Sequence, residues 1–75
     1  MNLITKAIDH HGHVTIIARA CNVTYQAVRR WERDGRLPRT DLTGETDYAA
    51  RIARSTRYKI SKSALLAQSR KAWRQ

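Results

Sequence analysis

Several residue types are scarce in this chain of 75 residues, and each scarcity excludes a class of protein. The single cysteine forms no disulfide within the chain, which fits a reducing compartment. We find no glycine-rich phosphate loop, no paired carboxylates and no nucleophile beside a base, so we expect no enzyme activity. Phenylalanine is absent, whereas proteins that bind single-stranded RNA favour exposed aromatic residues for stacking. No apolar run approaches the roughly 20 residues of a membrane span, and the first residues lack the apolar region of a signal peptide. We therefore expect a cytoplasmic protein.

Basic residues are abundant. The chain has fifteen Lys and Arg residues but only six Asp and Glu residues, which gives a formal net charge of +9 and a pI of about 10.9. This charge predicts a polyanionic partner, although it does not choose between DNA, RNA and acidic lipid. A chain of this length forms one domain and buries only about 60% of the surface of its unfolded form, so a second subunit would help its stability.

Residues 14–33 predict two short helices joined by a tight turn. The first helix has one apolar face with the spacing i, i+3, i+4 and i+7, made of Val14, Ile17, Ala18 and Cys21. We expect this face, including the free cysteine, to lie in the core. Asn22 tolerates a positive φ and can end this helix, and Thr24 can cap the next one.

The second helix is predicted from about Thr24 to Asp34, with Gly35 as its stop. Its apolar side consists of Ala27, Val28 and Trp31. The opposite side carries Tyr25, Gln26, Arg29, Arg30 and Arg33, whose ionised members are all positive. Arginine and glutamine side chains have the two-pronged geometry that matches purine edges in the major groove. The pattern therefore predicts a recognition helix for double-stranded DNA.

This stretch resembles the helix-turn-helix of phage Cro-type repressors and of the related YdaS-type antitoxins. Ala18 matches the small residue in the middle of the first helix, and Asn22 with Val23 matches the turn. Val28 and Trp31 match the two apolar anchors of the second helix. The resemblance implies a lambda-repressor-like DNA-binding fold. Asn22 departs from the commoner glycine, but asparagine is permitted there.

The resemblance also implies which residues contact DNA. Base contacts are expected from Tyr25, Gln26, Arg29 and Arg30, with Thr24 at the edge of the groove. Phosphate contact is implied for Thr15, near the start of the first helix. We further expect Arg33, Arg36 and Arg39 to contact phosphates, with Lys59 as an additional candidate.

The expected function is a phage or prophage transcriptional repressor that binds operator DNA as a homodimer. Two half-sites multiply the discrimination that one helix provides. Repression by occlusion of a promoter would require no cofactor and no small-molecule ligand. The alternative is a YdaS-like antitoxin that regulates its own operon. The segment 58–73 is our candidate for the dimer surface.

The amino-terminal part predicts a further helix that braces the motif. Asn2 can cap it, its apolar stripe is Leu3, Ile4, Ala7 and Ile8, and it should end by Gly12. The histidines at 10, 11 and 13 suggest a metal site, but adjacent helical side chains diverge and no cysteine or carboxylate completes a tetrahedral set. We therefore expect these histidines to lie at the carboxyl end of this helix, where a cation suits the helix dipole, and at the start of the turn that follows.

The carboxyl half is predicted as a loop and two helices. The loop is Thr40–Thr46, and Thr46 or Asp47 should cap a helix whose inward stripe is Tyr48, Ala49, Ile52 and Ala53. A last short helix should begin at Ser61 or Ser63 and reach Gln68. This layout resembles the YdaS branch less closely, since glycine is usual there in place of Arg57 and Tyr58.

Cro-type proteins with a β-hairpin in this half provide an alternative. Residues 57–61 alternate modestly, but no second alternating run follows to pair with them. We therefore predict an all-α fold of about five short helices in one domain spanning residues 1–75. Residues 67–75 are either a flexible basic tail or a segment whose Trp73 packs on the domain or on a second subunit.

Overall fold

The computed structural model describes residues 2–74, and the regular secondary structure in this range is entirely helical. The helices are α1 (Leu3–His11), α2 (Val14–Cys21), α3 (Tyr25–Asp34), α4 (Arg39–Thr43), α5 (Tyr48–Ser55) and α6 (Lys62–Trp73). The predicted all-α fold class is confirmed, and the described part of the chain has one helix beyond the five expected.

The bounds of α1 follow from its caps, as predicted. The side chain of Asn2 accepts hydrogen bonds from the backbone N–H groups of Ile4 and Thr5, which would otherwise lack helical partners. Gly12 ends the helix in the left-handed conformation, with a φ of 80°.

The turn between α2 and α3 also has the predicted geometry. Asn22 is left-handed, with φ 56° and ψ 47°, and the N–H of Val23 donates to the carbonyl of Ala18 at 2.9 Å. The hydroxyl of Thr24 accepts a backbone N–H of the first turn of α3, and Gly35 ends that helix with a φ of 69°. The helix-turn-helix is therefore set by local signals on both sides of the turn.

The apolar faces of the helices meet in one core. α2 packs against α1, α3 and α5, and α6 packs against α1, α4 and α5. Fully buried side chains from five helices and from the segment between α3 and α4 fill the centre: Ile4, Ile17, Val28, Leu37, Ile52 and Leu65. Trp31 is also buried, as predicted, and its ring lies 4.9 Å from the ring of Tyr48. The core therefore holds α3 by its apolar side.

The predicted loop 40–46 is wrong in its first part. α4 occupies Arg39–Thr43, and Gly44 ends it with a φ of 88°. Pro38 precedes it with a φ of −57°, which suits the start of a helix, where the missing N–H of proline costs little. A helix of five residues is too short to show an apolar period, so the pattern resembled a polar loop.

The cap of α5 is also corrected. Asp47 occupies the N-cap position but makes no side-chain capping hydrogen bond. The cap comes from the buried Asp41 of α4, whose carboxylate accepts the backbone N–H groups of Tyr48 at 2.8 Å and Ala49 at 2.9 Å. The hydroxyl of Thr46 donates to the same carboxylate at 2.6 Å. One acidic side chain therefore joins α4 to α5.

The turn between α5 and α6 contains unusual backbone geometry. Arg57 and Tyr58 both have positive φ, at 56° and 66°, at the positions where the resemblance favours glycine. Side chains with a Cβ atom adopt this region at a cost. Tyr58 is 70% exposed, so packing on the described part of the domain does little to offset that cost.

α6 begins at the predicted cap and is longer than predicted. The hydroxyl of Ser61 accepts the N–H of Ala64 at 3.1 Å. The helix continues beyond Gln68 to Trp73 and so includes residues 67–73, which the sequence left open as a flexible tail.

Side chains of α6 hold the backbone that leaves α3. The amide of Gln68 donates to the carbonyl of Gly35 at 2.9 Å, and the hydroxyl of Ser69 accepts the N–H of Leu37 at 3.0 Å. The indole N–H of Trp73 donates to the carbonyl of Leu37 at 2.8 Å. These bonds satisfy buried or half-buried backbone groups that have no helical partner, so α6 fixes the path of the chain between α3 and α4.

We expect Asp41→Ala to lower the free energy of unfolding by about 2–3 kcal/mol, because it removes a buried charged cap and leaves two N–H groups unpaired. Denaturant unfolding measures the change. Asp47→Ala is the matched control and should change stability little, because the exposed Asp47 caps nothing. Equal effects of the two substitutions would contradict the role of Asp41.

Tyr58→Gly should raise the free energy of unfolding by about 0.5–1 kcal/mol, because glycine adopts a positive φ without the Cβ clash. Thermal unfolding measures the change, at a protein concentration low enough for the chain to be a monomer. Ala67→Gly, at an exposed position inside α6, should instead lower stability by about 1 kcal/mol. A loss of stability in both variants would show that Tyr58 is not strained.

Candidate nucleic-acid interface

α3 presents the predicted recognition side chains on its exposed side. Tyr25, Gln26, Arg29, Arg30 and Arg33 are all exposed, whereas Val28 and Trp31 of the same helix are buried. Tyr25 is 50% exposed. The helix therefore has the two-sided character that the sequence predicted.

Arg29 is held in place by two neighbours. Its Nε donates to the hydroxyl of Tyr25 at 3.1 Å, and its Nη1 donates to the carboxylate of Glu32 at 2.8 Å. These hydrogen bonds raise the pKa of Arg29 above its ordinary value. The prediction that the ionised groups of this side are all positive is corrected, because Glu32 reaches Arg29 from one turn further along the helix.

Glu32 is itself anchored to α1. The hydroxyl of Thr5 lies 3.4 Å from its carboxylate, and the side-chain amide of Asn2 donates to its backbone carbonyl at 2.7 Å. α1 therefore supports the carboxyl end of α3 and, through Glu32, the guanidinium of Arg29. The spacing of three residues between Arg29 and Glu32 was the signal in the sequence that could have identified this pair.

Three arginines that are expected to contact phosphates lie near the carboxyl end of α3 or just beyond it: Arg33, Arg36 and Arg39. Arg33 is exposed and donates to the carboxylate of Asp34 at 3.2 Å. Arg36 and Arg39 follow the helix, and their guanidinium carbons lie 3.7 Å and 5.0 Å from the ring centroid of Trp73. The structure therefore brings Arg36 and Arg39 together around one aromatic ring, and no local pattern in the sequence indicated that ring.

Thr15 and Thr24 lie at the amino ends of α2 and α3. Thr15 is exposed in the first turn of α2, whose N-cap residue, His13, makes no side-chain capping bond. Backbone N–H groups at such an end favour an anion. Thr24 is exposed, and its hydroxyl already accepts the N–H of Ala27. Lys59 is exposed in the turn before α6, outside the stretch that carries the other candidates.

The cysteine and the histidines show no sign of a reactive site. Cys21 is buried, as predicted, and burial raises the pKa of its thiol to about 12. His11 lies in the last turn of α1 beside Ser55 of α5, and burial together with the neighbouring His10 lowers its pKa. Within residues 2–74, no three His, Cys, Asp or Glu side chains are grouped so that they could hold a metal ion. No helix in the same range is long and apolar enough to cross a membrane.

Comparison with known proteins supports the resemblance inferred from the sequence. The chain is 44% identical over 48 residues to a protein named 8.4 kDa cro protein, from Escherichia phage HK022. The resemblance to phage Cro-type proteins is confirmed. The matched segment covers 64% of this chain and 63% of the length of that Cro protein, so the chain spans less than two thirds of its relative. No known family model matches the chain, and no solved structure matches it.

The burial of Cys21 predicts slow alkylation in the folded protein. Since the thiolate is the reactive form, iodoacetamide at pH 8 should label the native protein at a rate limited by unfolding. The same protein in guanidinium chloride should react at the rate of an ordinary free thiol. Equal rates in the two conditions, followed by mass spectrometry, would place the thiol at the surface.

Proposed function

We propose that this protein is a Cro-type transcriptional repressor of a phage or prophage that binds operator DNA as a homodimer. The observation that carries the proposal is the division of α3 into a side buried by Val28 and Trp31 and an exposed side rich in arginine. The similarity to the Cro protein of phage HK022 supports it. The net charge of +9 adds attraction to a polyanion.

Sequence would be recognised by the exposed side of α3 in the major groove. Gln26 offers one donor and one acceptor, which match the edge of adenine, and the guanidinium of Arg29 matches guanine. Tyr25 and Glu32 already restrict Arg29 in the free protein, so less side-chain freedom is lost on binding. Arg30 and Thr24 lie at neighbouring exposed positions and extend the contact to the edges of the site.

Phosphates on either side of the groove would fix the register of α3. The exposed Thr15 and the uncapped first turn of α2 offer a hydroxyl and backbone donors to one phosphate. Arg33, Arg36 and Arg39 offer guanidinium groups near the other end of α3. Such contacts contribute affinity for any duplex, whereas the base contacts distinguish the operator.

A homodimer would double the number of bases that are read. In the segment 58–73, the side chains of Ile60, Leu65, Ser69 and Trp73 already contact their own domain. Tyr58 is the most exposed large apolar side chain of the segment, and Leu66 packs partly against the core but leaves some of its surface exposed. These two remain as the apolar part of the proposed dimer surface.

Selection of bound fragments from random duplex DNA tests the proposal directly. We expect a palindromic consensus whose half-sites are separated by roughly 10 base pairs, one turn of the duplex. A consensus without symmetry would contradict the dimer. Recovery of fragments without any consensus would contradict sequence-specific repression.

Gln26→Ala and Arg29→Ala should each weaken binding to the selected duplex about ten- to one-hundred-fold, because each removes a two-pronged base contact. Fluorescence anisotropy measures both dissociation constants. Affinity for an unrelated duplex of the same length is the internal control and should change much less. An equal loss on both duplexes would show that these side chains contact phosphates.

A further inference from the structure

A groove lies beside the carboxyl end of α3, between that helix, the start of α4 and the end of α6. Its volume is about 290 Å³, and its charged lining consists of Arg30, Arg36, Arg39 and Asp34. Trp73 forms an aromatic wall. Three guanidinium groups therefore surround the groove against one carboxylate, and that carboxylate pairs with Arg33.

The ring of Trp73 is held by a hydrogen bond at its edge and by a cation–π contact on its face. Its indole N–H donates to the carbonyl of Leu37 at 2.8 Å, and Leu37 is fully buried. The guanidinium of Arg36 lies over the face of the ring, and the central guanidinium carbon is 3.7 Å from the ring centroid, which is a close cation–π contact. The guanidinium of Arg39 lies 5.0 Å from the same centroid.

Two like charges held at one ring favour an anion between them. Within residues 2–74, no carboxylate forms an ion pair with Arg36 or Arg39. A guanidinium group carries five N–H donors, so a cation–π contact with the ring leaves donors for the oxygens of a phosphate. The groove also adjoins Arg30, which lies on the exposed side of α3.

We infer that Trp73 is a positioning residue that holds Arg36 and Arg39 ready to bind one phosphate of the DNA backbone. The inference rests on the proposed function and adds a residue of α6 to the recognition surface. Free arginine side chains lose rotamer freedom when they bind, whereas a stacked pair has lost much of it before the duplex arrives. Trp73 itself need not touch DNA.

A double-mutant cycle tests the coupling. Dissociation constants for the selected duplex are measured over a range of salt concentrations for the wild type, Arg36→Ala, Trp73→Leu and the double variant. In the wild-type background, Arg36→Ala should weaken binding about three- to tenfold and reduce the slope of log K against log salt by about one. In the Trp73→Leu background, the same substitution should cost less than about twofold, because Arg36 is no longer positioned.

Three controls separate positioning from general damage. Trp73→Phe keeps an aromatic face and should retain most of the affinity. Arg54→Ala removes an exposed charge of α5, near the carboxyl end of α2 and away from the groove, and it should leave the salt slope unchanged. Circular dichroism and thermal unfolding establish that each variant is folded. Should Trp73→Leu fail to fold, Arg36→Lys keeps the charge without the flat group and should still weaken binding about three- to tenfold.

The outcomes distinguish the two proposals. If the wild type recovers no duplex with a consensus, the proposed function fails and this inference fails with it. If the wild type is specific but Arg36→Ala costs the same in both backgrounds, only the role of Trp73 is overturned. If Arg36→Lys binds as tightly as the wild type, stacking on Trp73 is likewise excluded as a source of affinity.

Discussion

The orientation of α3 depends on the burial of Val28 and Trp31 in the common core. Both side chains lie on one side of the helix, where Val28 is fully buried and Trp31 packs against Tyr48. Rotation of α3 about its axis would expose apolar surface and bury guanidinium groups, and an unpaired buried charge is costly. Packing therefore determines which side chains face the solvent, and no contact on the exposed side is needed to hold the helix in place.

Much of this arrangement could be predicted from the sequence because the signals are local. Asn2, Gly12, Asn22, Thr24 and Gly35 each act within a few residues, and apolar periodicity identifies the inward faces of α1, α2, α3 and α5. The cap by Asp41 and the contacts of Trp73 escaped prediction because they join residues of different segments of the fold. Asp41 caps a helix that starts seven positions later, and Trp73 contacts a segment of the chain more than thirty residues earlier. Neither pairing has a periodic signature.

The side chains proposed for recognition are constrained by contacts from helices that do not lie on the same surface. α1 reaches the carboxyl end of α3 through Asn2 and Thr5, and α6 reaches the following backbone through Gln68, Ser69 and Trp73. Gln68 also accepts the N–H of Leu3 at 2.7 Å, which links the two supports. The two helices that lie furthest apart in the sequence therefore brace the same end of α3.

The separation between the residues that hold α3 in place and the exposed residues of α3 has an evolutionary consequence. The side chains at positions 25, 26, 29 and 30 are exposed and do not pack in the core, so substitutions there can accumulate while the domain still folds. Relatives of this domain can therefore differ in the surface that α3 presents by exchanging a few exposed side chains on an unchanged scaffold.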